Sequence, residues 1–309
     1  MGEKMRLVTR SDFDGLACAM MLKEMDLIDD IKFVHPKDVQ DGKVELSKND
    51  ITTNLPYDPR VALAFDHHES EMDRLKALET GGKLIIDPHA RSAARVVYDY
   101  YGGKKTFVRI NEELMEAVDK GDSADFTMDE ILHPTGWVLL HYLMDPRTGL
   151  GRFRNFRISN YDLMMVLIDY CLNHSIDEIL EMPDVKERVA LYFEQAEQFE
   201  AQLKRIARVE GKVVVLDLRE EEIIHAGNRF MIYALYPETQ ISVHVAWGFK
   251  KQNTAVMIGK SIVNKGSDVD IGELCLKYGG GGHHNAGTCQ LDNDVVDREL
   301  PNIIAALNA

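Results

Sequence analysis

Cysteine is scarce in this chain of 309 residues, and the four present (Cys18, Cys171, Cys275 and Cys289) stand far apart. No Cys-x-x-Cys pair occurs, which argues against a zinc ribbon and fits reduced thiols in a cytoplasmic protein. Long apolar runs are missing too. No stretch approaches the run of about 18 apolar residues that a membrane span needs. The opening Met1-Gly2-Glu3-Lys4-Met5-Arg6 lacks the apolar core of a signal peptide. Positive charge is in deficit: Lys and Arg total 36 against 51 Asp and Glu, a net charge of -15. Long duplex nucleic acid is held by broad basic surfaces. A chain this acidic handles phosphates locally, through metal ions and a few placed cations, so small anionic substrates are favoured over duplexes. The same acidity also serves solubility.

The length exceeds what one core usually holds, so two domains are expected. The patterning predicts an α/β protein: a doubly wound, mainly parallel sheet in the N-terminal domain, and a smaller α/β domain at the C-terminus. Residues 184–210 carry neither Pro nor Gly. Apolar Val185, Val189, Phe193, Ala196, Phe199, Leu203 and Ile206 recur there at helical steps. This stripe predicts a long amphipathic helix stopped by Gly211, either bridging the domains or forming a homodimer face. The expected boundaries are therefore 1–183, a linker helix over 184–211, and 212–309.

The densest chemistry follows the apolar run 61–65, a short buried strand ending in Asp66-His67-His68-Glu69. One carboxylate and two imidazoles at a strand end can hold a divalent cation and leave a group facing substrate. Earlier, strand 6–9 meets Ser11-Asp12-Phe13-Asp14-Gly15 and a helix from Leu16 to about Met25. Capping that helix needs only one of the two carboxylates. Strand 31–35 ends at His35 and strand 51–54 at Asn54. Strand 84–86 precedes Arg91 and Ser92 at the start of a helix, where free N–H groups favour an anion or a Ser cap. A helix over 112–120 stops at Gly121, and an acidic loop follows with Asp122 and Asp125.

Helical patterns fill most of 136–173 around a basic, aromatic-laced loop, Arg147 to Arg157, which either steers a phosphodiester or simply connects. Beyond Gly211, strands are expected over 213–216, 241–247 and 254–258, then a helix over 269–278 capped by Asp268. Gly279-Gly280-Gly281-Gly282-His283-His284-Asn285-Ala286-Gly287 reads as a loop whose N–H groups close around an anion.

Taken together, Ser11-Asp12-Phe13-Asp14-Gly15, Asp66-His67-His68, Asp122, and Gly280-Gly281-Gly282-His283 with Ala286-Gly287 resemble the ordered motifs of the DHH phosphoesterases. The C-terminal half resembles their DHH-associated domain, and the likeness spans nearly the whole chain. It is greatest to the nano-ribonuclease and exopolyphosphatase-like group. The resemblance implies Mn²⁺, one or two ions, with Mg²⁺ as the alternative. It implies Asp12, Asp14, His67 and Asp122 as ligands, His68 facing substrate, and Asp66 orienting a neighbouring histidine. From the second domain, Gly280, Gly281, Gly282, His283 and His284, with Arg229 or Lys260, would grip a phosphate across a cleft.

Two positions depart from the family pattern. Arg10 falls near the usual first-motif His, and Asn54 near the usual metal-bridging Asp. A neutral amide oxygen holds a hard cation less firmly than a carboxylate does. His35 is then a substitute ligand, or Arg10 a fixed cation beside the phosphate. Three functions compete on this reading: a phosphoesterase of oligoribonucleotides or adenosine 3′,5′-bisphosphate, an exopolyphosphatase, and a nucleotide-binding regulator without chemistry.

Overall fold

The computed structural model describes residues 4–68 and 83–309. Glu69 of the Asp-His-His stretch and the first three residues lie outside them. The chain divides into two compact units: Met1–Phe126 with Pro134–Leu191, and Thr127–His133 with Tyr192–Ala309.

The first unit opens with β1 (Met5–Thr9), α1 (Phe13–Glu24), β2 (Ile28–Phe33), α2 (Pro36–Gln40), β3 (Asp50–Thr53), β4 (Leu63–Asp66) and β5 (Leu84–Ile86). These five strands pair in parallel in the order β2-β1-β3-β4-β5, the doubly wound sheet the sequence predicts. The helices α3 (Ala93–Tyr100) and α4 (Glu112–Ser123) follow. α1 is apolar around its circumference, with Phe13 to Leu22 all buried. It packs against α3, α4 and a later helix, which is why no solvent stripe marks it.

Next come α5 (Met128–Leu132), α6 (Gly136–Met144), α7 (Asn160–Tyr170), α8 (Ile176–Glu181) and α9 (Pro183–Ile206). Although α5 lies early in the chain, it belongs to the second unit, where Asn228 Nδ2 donates to the Ile131 carbonyl at 3.3 Å.

That unit continues with β6 (Ala207–Glu210), β7 (Val213–Asp217), α10 (Met231–Leu235), β8 (Ile241–Trp247), β9 (Thr254–Lys260), α11 (Ile271–Lys277), β10 (Gly281–His283), β11 (Ala286–Leu291) and α12 (Val296–Asn308). Its sheet runs β10-β11-β9-β8-β7-β6 and is mixed, with only β7 and β8 parallel. Val215, Val243, Val256, Cys275, Leu300 and Ile304 pack in its core.

Several boundaries differ from those expected. The long helix ends at Ile206, and the next four residues pair as β6 with β7. Gly211 is therefore the turn of that hairpin, at φ +64°, and not a helix stop. α4 runs through Gly121 and ends at Ala124 in the left-handed conformation, so Asp122 sits on a helix. The cap of α11 is Asp270, whose side chain accepts the Glu273 N–H, and not Asp268. The glycine segment forms an antiparallel hairpin of β10 and β11 in place of a loop. Its glycines admit close backbone packing: a Cβ on Gly280 would fall 2.2 Å from the Thr288 carbonyl oxygen, and one on Gly282 2.3 Å from that of Ala286.

Candidate active site

In the first sheet β2 lies on one side of β1 and β3, β4 and β5 on the other. The winding direction switches between β1 and β3, and ligands of open α/β sheets bind at the strand ends beside such a point. Arg10, Asp12 and Asp14 follow β1, Asn54 follows β3, and Asp66-His67-His68 closes β4.

Asp12 caps α1, its Oδ1 accepting the Gly15 N–H at 3.0 Å, while its Oδ2 lies 3.1 Å from Arg10 Nε. Gly15 permits this turn, since a Cβ there would fall 2.1 Å from the Arg10 carbonyl oxygen. Asp14 points to the start of α3. Its Oδ1 accepts the Ala94 N–H at 2.7 Å, and its Oδ2 accepts Ala93 N–H at 3.3 Å and Asn54 Nδ2 at 2.7 Å. The N-terminus of α3 thus does receive an anion, but that anion is the protein's own carboxylate.

Ser92, expected to meet substrate, is fully buried, accepts the Arg95 N–H and donates to Asp119 Oδ1 at 2.7 Å. Arg91 bonds Asp125 Oδ2 at 2.7 Å and Ser123 Oγ at 3.2 Å. Both residues fasten α3 to the end of α4. His35 is exposed, and its Nδ1 caps α2 by accepting the Lys37 N–H. A ligand role through that nitrogen is excluded by this cap.

His67 Nδ1 lies 3.2 Å from the Ala90 carbonyl, which only accepts, so Nδ1 carries a proton and Nε2 faces Asp122 Oδ2 at 2.6 Å. Asp66 Oδ1 accepts the N–H of His67 at 2.8 Å, the N–H of His68 at 3.4 Å and His68 Nδ1 at 2.8 Å. One atom from each of Asp66, His67 and His68 lies within 4.8 Å of the others. Because Asp66 Oδ1 already serves three donors, its geometry is that of an orienting group. The His68 side chain remains 42% exposed, turned outward by Asp66.

The electrostatics of this cluster are those of crowded anions. Burial raises the Asp14 carboxyl well above its ordinary range, and Asp122 and Asp12 push it further the same way. Burial also raises Asp12, against the pull of Arg10. At His67 burial favours the neutral ring, but Asp122 and then Asp14 outweigh it and hold the ring's pKa at about 9. Asp122 is lowered despite burial, because His67, Arg10 and His68 outweigh desolvation.

Asn54 Oδ1 is buried with no hydrogen-bond partner among the described residues, and His67 Nε2 faces the Asp122 carboxylate at 2.6 Å. Oxygen and imidazole donors in excess negative charge fit a divalent cation of the Mn²⁺ or Mg²⁺ kind.

In the second unit, His284 Nε2 accepts from Lys260 Nζ at 2.8 Å and its Nδ1 meets Asp270 Oδ2 at 3.2 Å. His283 Nδ1 accepts the Asn285 N–H at 3.2 Å. The Arg229 guanidinium lies 4.0 Å from the Phe230 ring centroid, and its charge reaches Tyr233 and His244. Gly280 precedes β10, which begins with Gly281 and Gly282.

Asp145 carries no site expectation from the sequence, and Arg147 opens the loop expected either to steer a phosphodiester or to connect. Asp145 is buried, caps the turn Pro146–Thr148, and pairs with Arg147 Nε at 2.8 Å. The Arg147 charge acts on Asp12 and Asp122. The Asp-Pro pair and Gly149, at φ +88°, were the available signal for an ordered turn.

No protein-family model matches the chain, and a search of curated proteins returns no match. Among solved structures it is similar to a pGpG-specific phosphodiesterase, PggH, from Vibrio cholerae, at 58% identity over 99% of both chains with a TM-score of 0.84. An exopolyphosphatase-related protein from Bacteroides fragilis shares the fold at 13% identity, with 98% of this chain and 91% of that one covered and a TM-score of 0.54. So does the DHH domain of a member of a ribosomal-protein family, at 12% identity, with 99% and 87% covered and a TM-score of 0.53.

Proposed function

The chain belongs to the DHH phosphoesterase family, and from that premise we propose that it hydrolyses the phosphodiester of short 5′-phosphorylated oligonucleotides, the guanylate dinucleotide pGpG first among them. It is a phosphoesterase. The observation that carries the substrate reading is 58% identity, over 99% of both chains, to a pGpG-specific phosphodiesterase. Adenosine 3′,5′-bisphosphate and inorganic polyphosphate are the alternatives to include beside it. We read the unit containing the parallel sheet as the hydrolytic part and the unit containing β10 and β11 as the substrate-binding part.

In this reading Asp12, Asp14, His67 and Asp122 hold the divalent cation, Mn²⁺ before Mg²⁺, with Asn54 Oδ1 completing the set. When bound, the cation supplies an activated water and neutralises charge on the phosphoryl oxygens. The chain's own residues do the rest. Asp66 fixes His68 with Nδ1 protonated, so Nε2 is the atom that meets the reacting phosphate or the leaving oxygen. Arg10, held beside Asp12, adds fixed positive charge where the family more often carries a histidine. Lys260 and His283 offer donors for a second phosphate of the substrate, with His284 holding Lys260 in place.

The test is a substrate panel with metal analysis on the purified protein. Mn²⁺-loaded protein should release GMP from pGpG faster than phosphate from adenosine bisphosphate or polyphosphate. Failure to cleave pGpG across a range of Mn²⁺ and Mg²⁺ concentrations would sink the reading.

A further inference from the structure

The turn after α6 is built around one buried carboxylate. Asp145, with a side chain 3% exposed, accepts both the Arg147 backbone N–H at 2.9 Å and Arg147 Nε at 2.8 Å on the same oxygen. Pro146 fixes the first residue of the turn, and Thr148 Oγ1 ties it back to the Tyr142 carbonyl at 2.6 Å. A side chain on Gly149 would be strained at φ +88° and would meet the Arg152 guanidinium. The turn is therefore rigid, and it orients Arg147 by the Nε edge alone.

The other edge is open. The Arg147 Nη atoms make no hydrogen bond to any described residue, and the side chain is 46% exposed. The turn abuts the first carboxylate motif: Asp145 and Pro146 line, with Ser11 and Leu150, a cavity of about 90 Å³. Ser11 sits between Arg10 and Asp12. The Arg147 cation accordingly acts on Asp12 and Asp122. A local ion pair that served only the turn would not need an open Nη edge on a turn that abuts the first carboxylate motif. A guanidinium anchored through Nε with both Nη groups presented is the geometry that grips two phosphoryl oxygens.

We propose that Arg147, positioned by Asp145, binds the reacting phosphate of the substrate from within the hydrolytic unit. This rests on the phosphodiesterase reading for its substrate but not for its ligand chemistry. A cation at that phosphate contributes to every substrate alike, because it touches the group being transferred and not the chain end. Asp145 is a positioning residue: it holds the turn and the Arg147 Nε edge and does not touch the substrate.

The experiment compares wild type, Arg147→Met, Arg147→Lys and Asp145→Asn, each Mn²⁺-loaded, on pGpG and on GpG, which lacks the 5′-phosphate. Arg147→Met should lower kcat/KM on both by the same factor, about a hundredfold, as for removal of one donor to a developing anion. Arg147→Lys should recover part of it, and Asp145→Asn should lose about tenfold. Bound metal by elemental analysis should not change, whereas melting temperature should fall in Arg147→Met and Asp145→Asn, each of which breaks the pair at the buried carboxylate. Kinetics of Arg147→Met within threefold of wild type would overturn the proposal. So would loss of metal in step with activity, or a loss confined to pGpG. A parallel calorimetric titration with inorganic phosphate separates this proposal from the substrate reading. If wild type cleaves neither dinucleotide, weaker phosphate binding by at least tenfold in Arg147→Met still supports the clamp. Equal binding in the two proteins, or none in wild type, ends it.

Discussion

Asn54 donates its amide N–H to Asp14 Oδ2 at 2.7 Å, inside a cluster where that carboxylate already accepts two backbone N–H groups. The residue adopts φ +54°, a left-handed conformation that Asn tolerates better than most side chains. The contact lets Asp14 stay buried beside Asp12 and Asp122 with one fewer negative charge nearby. A carboxylate at position 54 would reverse this. Asn54→Asp should bind Mn²⁺ at least tenfold more tightly, since a charged oxygen replaces a neutral one. Without metal it should be less stable by about 1–3 kcal/mol, because a buried carboxylate then faces Asp14 with no donor between them. Calorimetric titration with Mn²⁺ and thermal unfolding with and without chelator measure both effects. Unchanged affinity would remove Asn54 from the metal set.

In the proposed site Asp66 orients His68 and holds no metal. Its Oδ1 serves His67 N–H, His68 N–H and His68 Nδ1. Asp66→Asn keeps the shape and an acceptor oxygen but removes the negative charge that the His68 Nδ1–H faces. It should lower kcat by about 10²-fold or more while leaving bound metal unchanged. Metal loss in this variant would assign Asp66 to the ligand set.

The two histidine motifs should fail differently. His67→Ala removes the imidazole facing Asp122, so metal content and activity should fall together. His283→Ala removes a side chain of the glycine hairpin, whose Nδ1 accepts the Asn285 N–H. It should raise KM or slow turnover with metal retained. Elemental analysis beside steady-state kinetics separates the two patterns. Metal loss in His283→Ala would contradict the division of labour proposed between the units.

The strand ends were legible because parallel strands are short apolar runs, and their polar termini stand out against them. Asp12, Asp14, Asp66, His67 and Asn54 are placed that way. The Asp122 position was legible only through the family's motif order. As a residue on α4 it carries no local signal, since Gly121 before it looks like a helix stop. For Ser92 and His35 the sequence left cap and ligand roles open because both use the same atoms, and only tertiary contacts decide between them. For Arg147 the sequence left open a loop that steers a phosphodiester or merely connects, because the Asp145 pairing that orients it is a tertiary contact of the folded turn. The β6 strand was hidden because its residues continue the helical stripe, and pairing with β7 overrides that local pattern.

Gly121 offers a test of this last kind of long-range constraint. In an exposed helix interior, Gly→Ala usually stabilises by roughly 0.4–1 kcal/mol. Here a Cβ would fall 2.2 Å from His141 Cε1, and His141 is buried against Phe13 and Phe126. Gly121→Ala should therefore destabilise by about 1–3 kcal/mol. It should also weaken Mn²⁺ binding, because the displaced segment carries Asp122. Neutral or improved stability would show that the ring moves aside freely.

His244 supplies a pH dependence away from the metal ligands. It lies on β8 opposite Met257. Burial first, and then the Arg229 charge, lower its pKa to about 4. In the unfolded chain the imidazole titrates near 6.5. Above that pH both states hold it neutral, and it contributes no slope. As pH falls from about 6.5 toward 4, the unfolded state takes up a proton that the native state refuses, so stability declines across that window and levels below it. Allowing for the ring's partial exposure, the loss between pH 7 and 5 should be on the order of 1–2 kcal/mol. Urea unfolding of wild type and His244→Gln at both pH values isolates it: the substitution should flatten the decline by that amount. Equal slopes in the two proteins would mean that the ring is charged in the native state, and that Arg229 lies too far from it to matter.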